Sequence, residues 1–211
     1  MSSRVICIAR VNGSGGEEVG RLVADALGFQ LVDEEIIQQA AAAEGISIDE
    51  LSEVERRSSV LTRLMRGLAI SGVADVGMGN AVMYMPDVLA HDPKSLRGLI
   101  QKSIHETADR GNVVIVSHAA SYALGSGGGT LRVLVTAPND VRVARVSAAG
   151  SLDAKEAAKA IAADDAGRAA YLKEFYGVGH ELPTHYDLVL NSESLSAAAI
   201  AAVVVSAARA G

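Results

Sequence analysis

Gly13-Ser14-Gly15-Gly16, with Arg10 and Asn12 just before and Glu17 and Glu18 just after, is where residue type and spacing most directly imply chemistry. Three of the four turn residues lack a Cβ, so backbone N–H groups can face a ligand and approach it closely. A helix beginning near Gly16 would add the positive end of its dipole, roughly half a unit charge. Together these make an anion site, and the default anion for such a turn is a phosphate. The competing reading is a plain strand-to-helix turn whose glycines serve only tight packing. Against the P-loop pattern G-x-x-x-x-G-K-[ST], only Gly15 fits. Arg10 stands at the first glycine, Gly16 at the lysine and Glu17 at the hydroxyl residue.

The elements needed to position this turn are legible around it. Val5 to Ala9 is a near-continuous apolar run, as expected of a strand buried on both faces in a parallel sheet. The helix from about Gly16 to Leu27 places Val19, Leu22, Val23, Ala26 and Leu27 on one face, and Gly28 ends it. Phe29 to Val32 reads as a second strand with Asp33 at its C-terminal end, the edge where open α/β sheets bind ligands.

Further on, Glu34 to Ala43 reads as a helix, and Ser47-x-x-Glu50 matches a capping box. From Ser58 to Pro93 four glycines interrupt the helical pattern. Met78, Met83 and Met85 there form an adaptable apolar surface suited to a substrate pocket, to a homodimer contact or simply to a core. A helix over Lys94 to Arg110 leads to strands at Val113 to Val116 and Leu131 to Val135, and the glycines at 125–129 between those strands read as a flexible loop. A helix after Pro138 carries Arg142 and Arg145. The next, capped by Ser151 or Asp153, carries Lys155, Lys159, Asp164, Asp165, Arg168 and Lys173, a charge run that ordinarily marks a solvated face. Tyr186 to Leu190 gives a fifth strand, which Asn191 breaks, and an Ala-rich helix closes the chain. Long crossovers between apolar strands imply an α/β fold, a five-stranded parallel sheet between helical layers.

Composition narrows the function. At 211 residues the chain can bury a core as a single domain with an elaboration. A net charge of −6 argues against nucleic-acid partners. The single cysteine, Cys7, lies in the central strand, so no disulfide framework is possible and a cytoplasmic setting is expected. No apolar run reaches the roughly 18 residues of a membrane span, so no membrane partner is expected.

With these elements placed, the chain resembles the cytidylate-kinase-like family of P-loop kinases. The segments that carry the likeness are IARVNGSGGEEVGRLVADALGFQLVDEEII, NVVIVSHAASYAL, LRVLVTAPNDVRVARV, IAADDAGRAAYLKEFYG and HYDLVLNSESLS, in the family's order. The resemblance implies a three-layer P-loop kinase-type fold over 1–211, with a core of 1–33 and 111–211. A helical substrate-binding insert would span about 34–110, and a helical lid about 147–180. It also implies phosphotransfer from ATP with Mg²⁺ to a nucleoside monophosphate or another small acceptor. Arg10, Asn12, Gly13, Ser14, Gly15 and Gly16 would hold the donor phosphates. Asp33 would face the acceptor or a Mg²⁺-bound water. Arg142, Arg145 and Arg168 would close over the transferring phosphoryl, unless Arg142 and Arg145 merely pair with Asp140 or Asp165. Where relatives read Gly-Arg-Gly-Ala after the third strand, this chain reads Ser117-His118-Ala119-Ala120. His118 there is either a switchable donor to the acceptor or a local hydrogen-bonding group.

Glu17 and Glu18 complicate the scheme. Two first-turn carboxylates stabilise an empty helix by about 0.3–1 kcal/mol each and repel a bare triphosphate. Either Mg²⁺ offsets this with Glu17 or Glu18 as a ligand, or Arg10 folds over the turn as the missing cation, or nucleotide binds weakly. The alternatives to a kinase are a nucleotide-binding regulatory protein with a degenerate P-loop, and an interaction protein that keeps only the fold.

Overall fold

The computed structural model describes residues 3–33, 93–117 and 119–210. Five strands form one sheet: β1 (Val5–Arg10), β2 (Gln30–Val32), β3 (Val113–Val116), β4 (Thr130–Thr136) and β5 (Leu188–Asn191). Their order is β2-β3-β1-β4-β5, and every pairing is parallel. Among the described residues the helices are α1 (Gly16–Leu27), α2 (Pro93–Arg110), α3 (Ala120–Leu124), α4 (Asn139–Gly150), α5 (Ala154–Tyr176) and α6 (Ala197–Ala210).

The apolar run at Val5–Ala9 is explained by its place at the sheet's centre, hydrogen-bonded to β3 on one side and β4 on the other. Side chains alternate between two cores. Ile6 and Ile8 join Val114, Val116 and Val133 beneath α1 and α6, whereas Val5 and Cys7 join Val113 and Ile115 beneath α2 and α3. Helices on both faces make three layers. Burial pushes the Cys7 thiol up to about 12, consistent with a small apolar core residue and not a nucleophile.

Most boundaries fall within a residue or two of expectation, and the departures have local causes. Phe29 is not in β2, because Gly28 (φ 67°) and Phe29 return their N–H groups to Asp25 and Ala24 to close α1. In α1 it is Ala24, not Ala26, that is buried with Val19 and Val23. Asn191 does not break β5; it pairs with Thr136, on an edge strand where its side chain stays in water. Tyr186 is instead drawn into a 3₁₀ turn at Pro183–His185. The 125–129 glycine loop returns on itself, with Gly129 O accepting from Arg4 and Val5 N–H. That places it at the opposite end of the sheet from Gly13–Gly16. The helix expected over 34–43, the capping box at 47–50 and the Met-rich surface lie outside the described residues.

Gly20 sets the depth at which α1 packs. A Cβ there would lie 2.3 Å from Val116 Cγ2, so α1 rests directly on β3 and its N-terminus opens over the C-terminal edge of β1.

Candidate functional site

The turn between β1 and α1 is shaped at its carbonyls. Val11 O accepts from Ser14 N at 3.0 Å, Asn12 O from Arg142 Nε at 2.7 Å and Gly13 O from Arg145 Nη1 at 3.3 Å. Ser14 O accepts from Ser192 Oγ at 2.7 Å, and Gly15 O from Val19 N at 3.2 Å. Every carbonyl from Val11 to Gly15 is therefore engaged, and those of Asn12, Gly13 and Ser14 are held from outside the turn. Gly13 and Gly15 take positive φ angles of 79° and 78°, a backbone of the kind found in anion-binding turns, although the Ser14 N–H between them is spent on Val11 O. Gly15 is the N-cap of α1 and gives it no side-chain cap, so the first-turn N–H groups of Gly16, Glu17 and Glu18 remain available. Ser14 Oγ is buried without a hydrogen-bond partner among the described residues, an arrangement that costs free energy unless something supplies one.

The supports reach in from distant segments. Arg142, 6% exposed, donates through Nη1 and Nη2 to both oxygens of Asp165 at 2.9 and 2.7 Å while its Nε holds Asn12 O. The neighbouring Asp164 accepts from Asn12 Nδ2 at 2.5 Å. The α5 face carrying Asp164 and Asp165 is thus docked on the turn while the Asp165 side chain still reaches solvent, and Lys155, Lys159 and Lys173 on the same helix are exposed. Of the two candidate caps for α5, Asp153 serves, in a reciprocal capping box with Glu156. Arg145 Nη1 donates to Ser192 Oγ at 2.8 Å and Nη2 to Ser192 O at 2.7 Å. Ser192 has no distinguishing neighbour in the sequence. Its replacement by Ala should leave Ser14 O and one Arg145 donor unpaired, at a cost of about 1–3 kcal/mol. Urea unfolding should show this as a lower midpoint with an unchanged slope.

Arg10 ends β1 and pairs with Glu17, Nη2 to Oε1 at 2.9 Å. Glu18 is exposed. Arg168 faces a different set of partners. It donates to Glu181 through Nε at 2.9 Å and Nη2 at 2.5 Å, and to Tyr186 OH at 3.2 Å. Tyr186 OH also donates to Glu181. Burial opposes both charges, but the pairing overrides it, holding Glu181 below the usual carboxylate range and raising Arg168 further. The Tyr186 phenol is pushed up, chiefly by burial. A cavity of about 200 Å³ lies beside this pair, bounded by Val11, Asp165, Leu172, Val178 and His180 among others.

Of the residues expected to act together, the structure gathers Arg10, Asn12, Gly13, Ser14, Gly15, Gly16, Glu17, Arg142 and Arg145 around one turn. Register places Asp33 two strands away. Val32 is level with Ile115, and Ile115 with Cys7, so Asp33 stands about 10 Å across the sheet edge. His118 lies outside the described residues. Among the described residues no helix is long and apolar enough to cross a membrane, and no cluster of three or more His, Cys, Asp or Glu side chains gathers as for a metal ion.

These features match known proteins in sequence and fold. A cytidylate kinase from Staphylothermus marinus is 29% identical over 109 residues, a stretch covering 52% of this chain and 60% of that protein. An uncharacterized protein from Eubacterium ventriosum superposes with a TM-score of 0.64 over 97% of both chains at 14% identity. Shikimate kinase from Bacteroides thetaiotaomicron gives 0.51 at 15% identity over 96% of this chain and 97% of its own, so the fold is that of P-loop kinases. Residues 5–194 match the cytidylate kinase-like family as a whole, and the chain belongs to that family.

Proposed function

We propose that the protein is an ATP-dependent phosphotransferase whose glycine turn holds the donor phosphates and whose acceptor is a nucleoside monophosphate or another small hydroxyl or phosphate compound. The observation that carries this is the turn itself, with the carbonyls of Asn12, Gly13 and Ser14 tied outward by distant side chains and the first-turn N–H groups of α1 left to an anion. Ser14 Oγ fits a ligand that accepts a hydrogen bond. Arg142 and Arg145 are positioning residues in this reading, because their guanidinium groups grip the turn. Arg168 reaches the transferring phosphoryl only if Glu181 releases it. Asp33, at the C-terminal end of β2, would face the acceptor in this reading.

Glu17 and Glu18 suit Mg²⁺ bound jointly with phosphate, since that ion takes one or two carboxylates and completes its octahedron with phosphate oxygens and water. When bound it would neutralise charge developing on the transferring group. Glu17 is half exposed at the head of α1, within reach of a ligand seated on the first-turn N–H groups.

ATP titration with and without Mg²⁺, followed by γ-phosphate transfer over a panel of nucleoside monophosphates and small hydroxyl acceptors, tests the proposal. Mg²⁺-dependent binding with transfer to one acceptor class is expected. A second reading, nucleotide binding without turnover, is favoured by the engagement of Arg142, Arg145 and Arg168 with protein groups. Binding with transfer to no acceptor would support that one, and failure to bind ATP would remove both.

A further inference from the structure

We infer that Arg10 is the fixed phosphate cation of this turn, delivered from the end of β1 in place of the lysine that a P-loop carries after its last glycine, and that Gly16 is glycine to make room for it. A Cβ built on Gly16 would lie 2.5 Å from Arg10 Cβ, 3.1 Å from its Cδ and 3.3 Å from its Cγ. Neither side can give way. Arg10 Cβ hangs from a strand residue in register with Val135 of β4, and Gly16 is the first residue of α1. Gly16 is absent from the glycines with positive φ, so it is space and not backbone conformation that demands glycine here. Positions 10 and 16 therefore cannot both carry side chains. The P-loop pattern has glycine at the first and lysine at the second; this chain has the opposite arrangement, and one cation is kept.

The arginine is also aimed. Its stem lies along Gly16, and its tip emerges at the first turn of α1, where Nη2 meets Glu17 Oε1 at 2.9 Å. The guanidinium is thereby held at the positive end of the helix, beside the N–H groups of the turn. A planar guanidinium can grip two oxygens of a polyphosphate at once. Glu17 is the counterion of the empty site: Arg10 exchanges this carboxylate for phosphate, and Glu17 is then available to the metal. The ligand class is the polyphosphate end of a nucleotide. This inference rests on the phosphate site proposed above.

The test uses the full chain with two probes, inorganic tripolyphosphate and ATP with Mg²⁺, read by calorimetry beside thermal melts. Arg10→Met keeps the stem on Gly16 and removes the charge. It should melt near wild type and bind both probes about tenfold or more weakly, whereas Arg10→Lys should retain an intermediate affinity. Glu17→Gln should bind metal-free tripolyphosphate more tightly than wild type. Gly16→Lys should melt well below wild type, and adding Arg10→Gly to it should raise the melting point again. Wild-type affinity in Arg10→Met overturns the assignment while leaving the phosphate site standing. A Gly16→Lys protein as stable as wild type, or a double variant melting no higher than Gly16→Lys, overturns the reciprocal exchange. If wild-type protein binds neither probe, the phosphate site falls and this inference with it.

Discussion

Arg168→Met is expected to lower the free energy of unfolding by up to about 3–5 kcal/mol, because it leaves the partly buried Glu181 carboxylate without its counter-charge. Arg168 is 5% exposed, and Glu181 accepts from both Arg168 and Tyr186. Replacing both partners, as Arg168→Met with Glu181→Leu, should recover much of the loss, since the pair's desolvation cost disappears along with its attraction. The pair also fixes a pH dependence. The carboxyl of Glu181 has a lower pKa folded than unfolded, so its contribution is fully present above the ordinary glutamate value of ~4.3 and is lost as pH falls through the folded value. Urea unfolding at neutral pH and at successively lower pH should show wild type losing stability faster than the double variant below about pH 4. A single variant as stable as wild type but inactive would instead place Arg168 on the transferring phosphoryl.

The two left-handed glycines of the turn should respond to alanine differently, Gly13 chiefly in stability and Gly15 chiefly in binding. At Gly13 the new methyl would stand 2.9 Å from Arg142 O and 3.0 Å from Arg142 Cα, with φ at 79°. Backbone cannot step aside as a flexible side chain does, so Gly13→Ala should cost roughly 2–5 kcal/mol, the sum of the conformational penalty and overpacking. At Gly15 the methyl would meet nothing within 4 Å. Gly15→Ala should cost only the left-handed penalty, about 1–2 kcal/mol, while placing a methyl in the open space over the turn. ATP affinity should then fall by about tenfold or more with the fold retained. Melting curves and calorimetry on the two variants separate these outcomes. Equal melting points would show that α4 does not press on the turn, and undiminished binding in Gly15→Ala would place the phosphates elsewhere.

What the sequence discloses and what it hides divide along the range of the interactions involved. Val5–Ala9, the Gly28 cap and Asp153 as one of two candidate caps announce themselves because their causes are local: burial on both faces, a left-handed backbone, a side chain three residues from its partner. Ser192 does not, since its importance comes from Ser14, 178 positions away. Glu181 looks like any acidic residue in a loop until Arg168, Tyr186 and Tyr122 surround it. Asp164 and Asp165 read as a solvated stripe because only α4 and the turn, brought beside α5, give that stripe something to hold. Arg142 had two sequence readings, and the pairing with Asp165 is one of them. Its hold on Asn12 O, which makes it part of the turn, required the fold.

The outward-tied carbonyls also bear on the order of events during synthesis. Gly13–Gly16 are synthesised well before the groups that shape their turn, which come from Arg142, Arg145 and finally Ser192. A nascent chain displays the glycines long before it can hold their backbone in place. On the proposed reading, nucleotide meets the shaped turn only after translation has passed residue 192 and β5 has docked against β4, so the ligand would reward the completed sheet and not the folding of its first half.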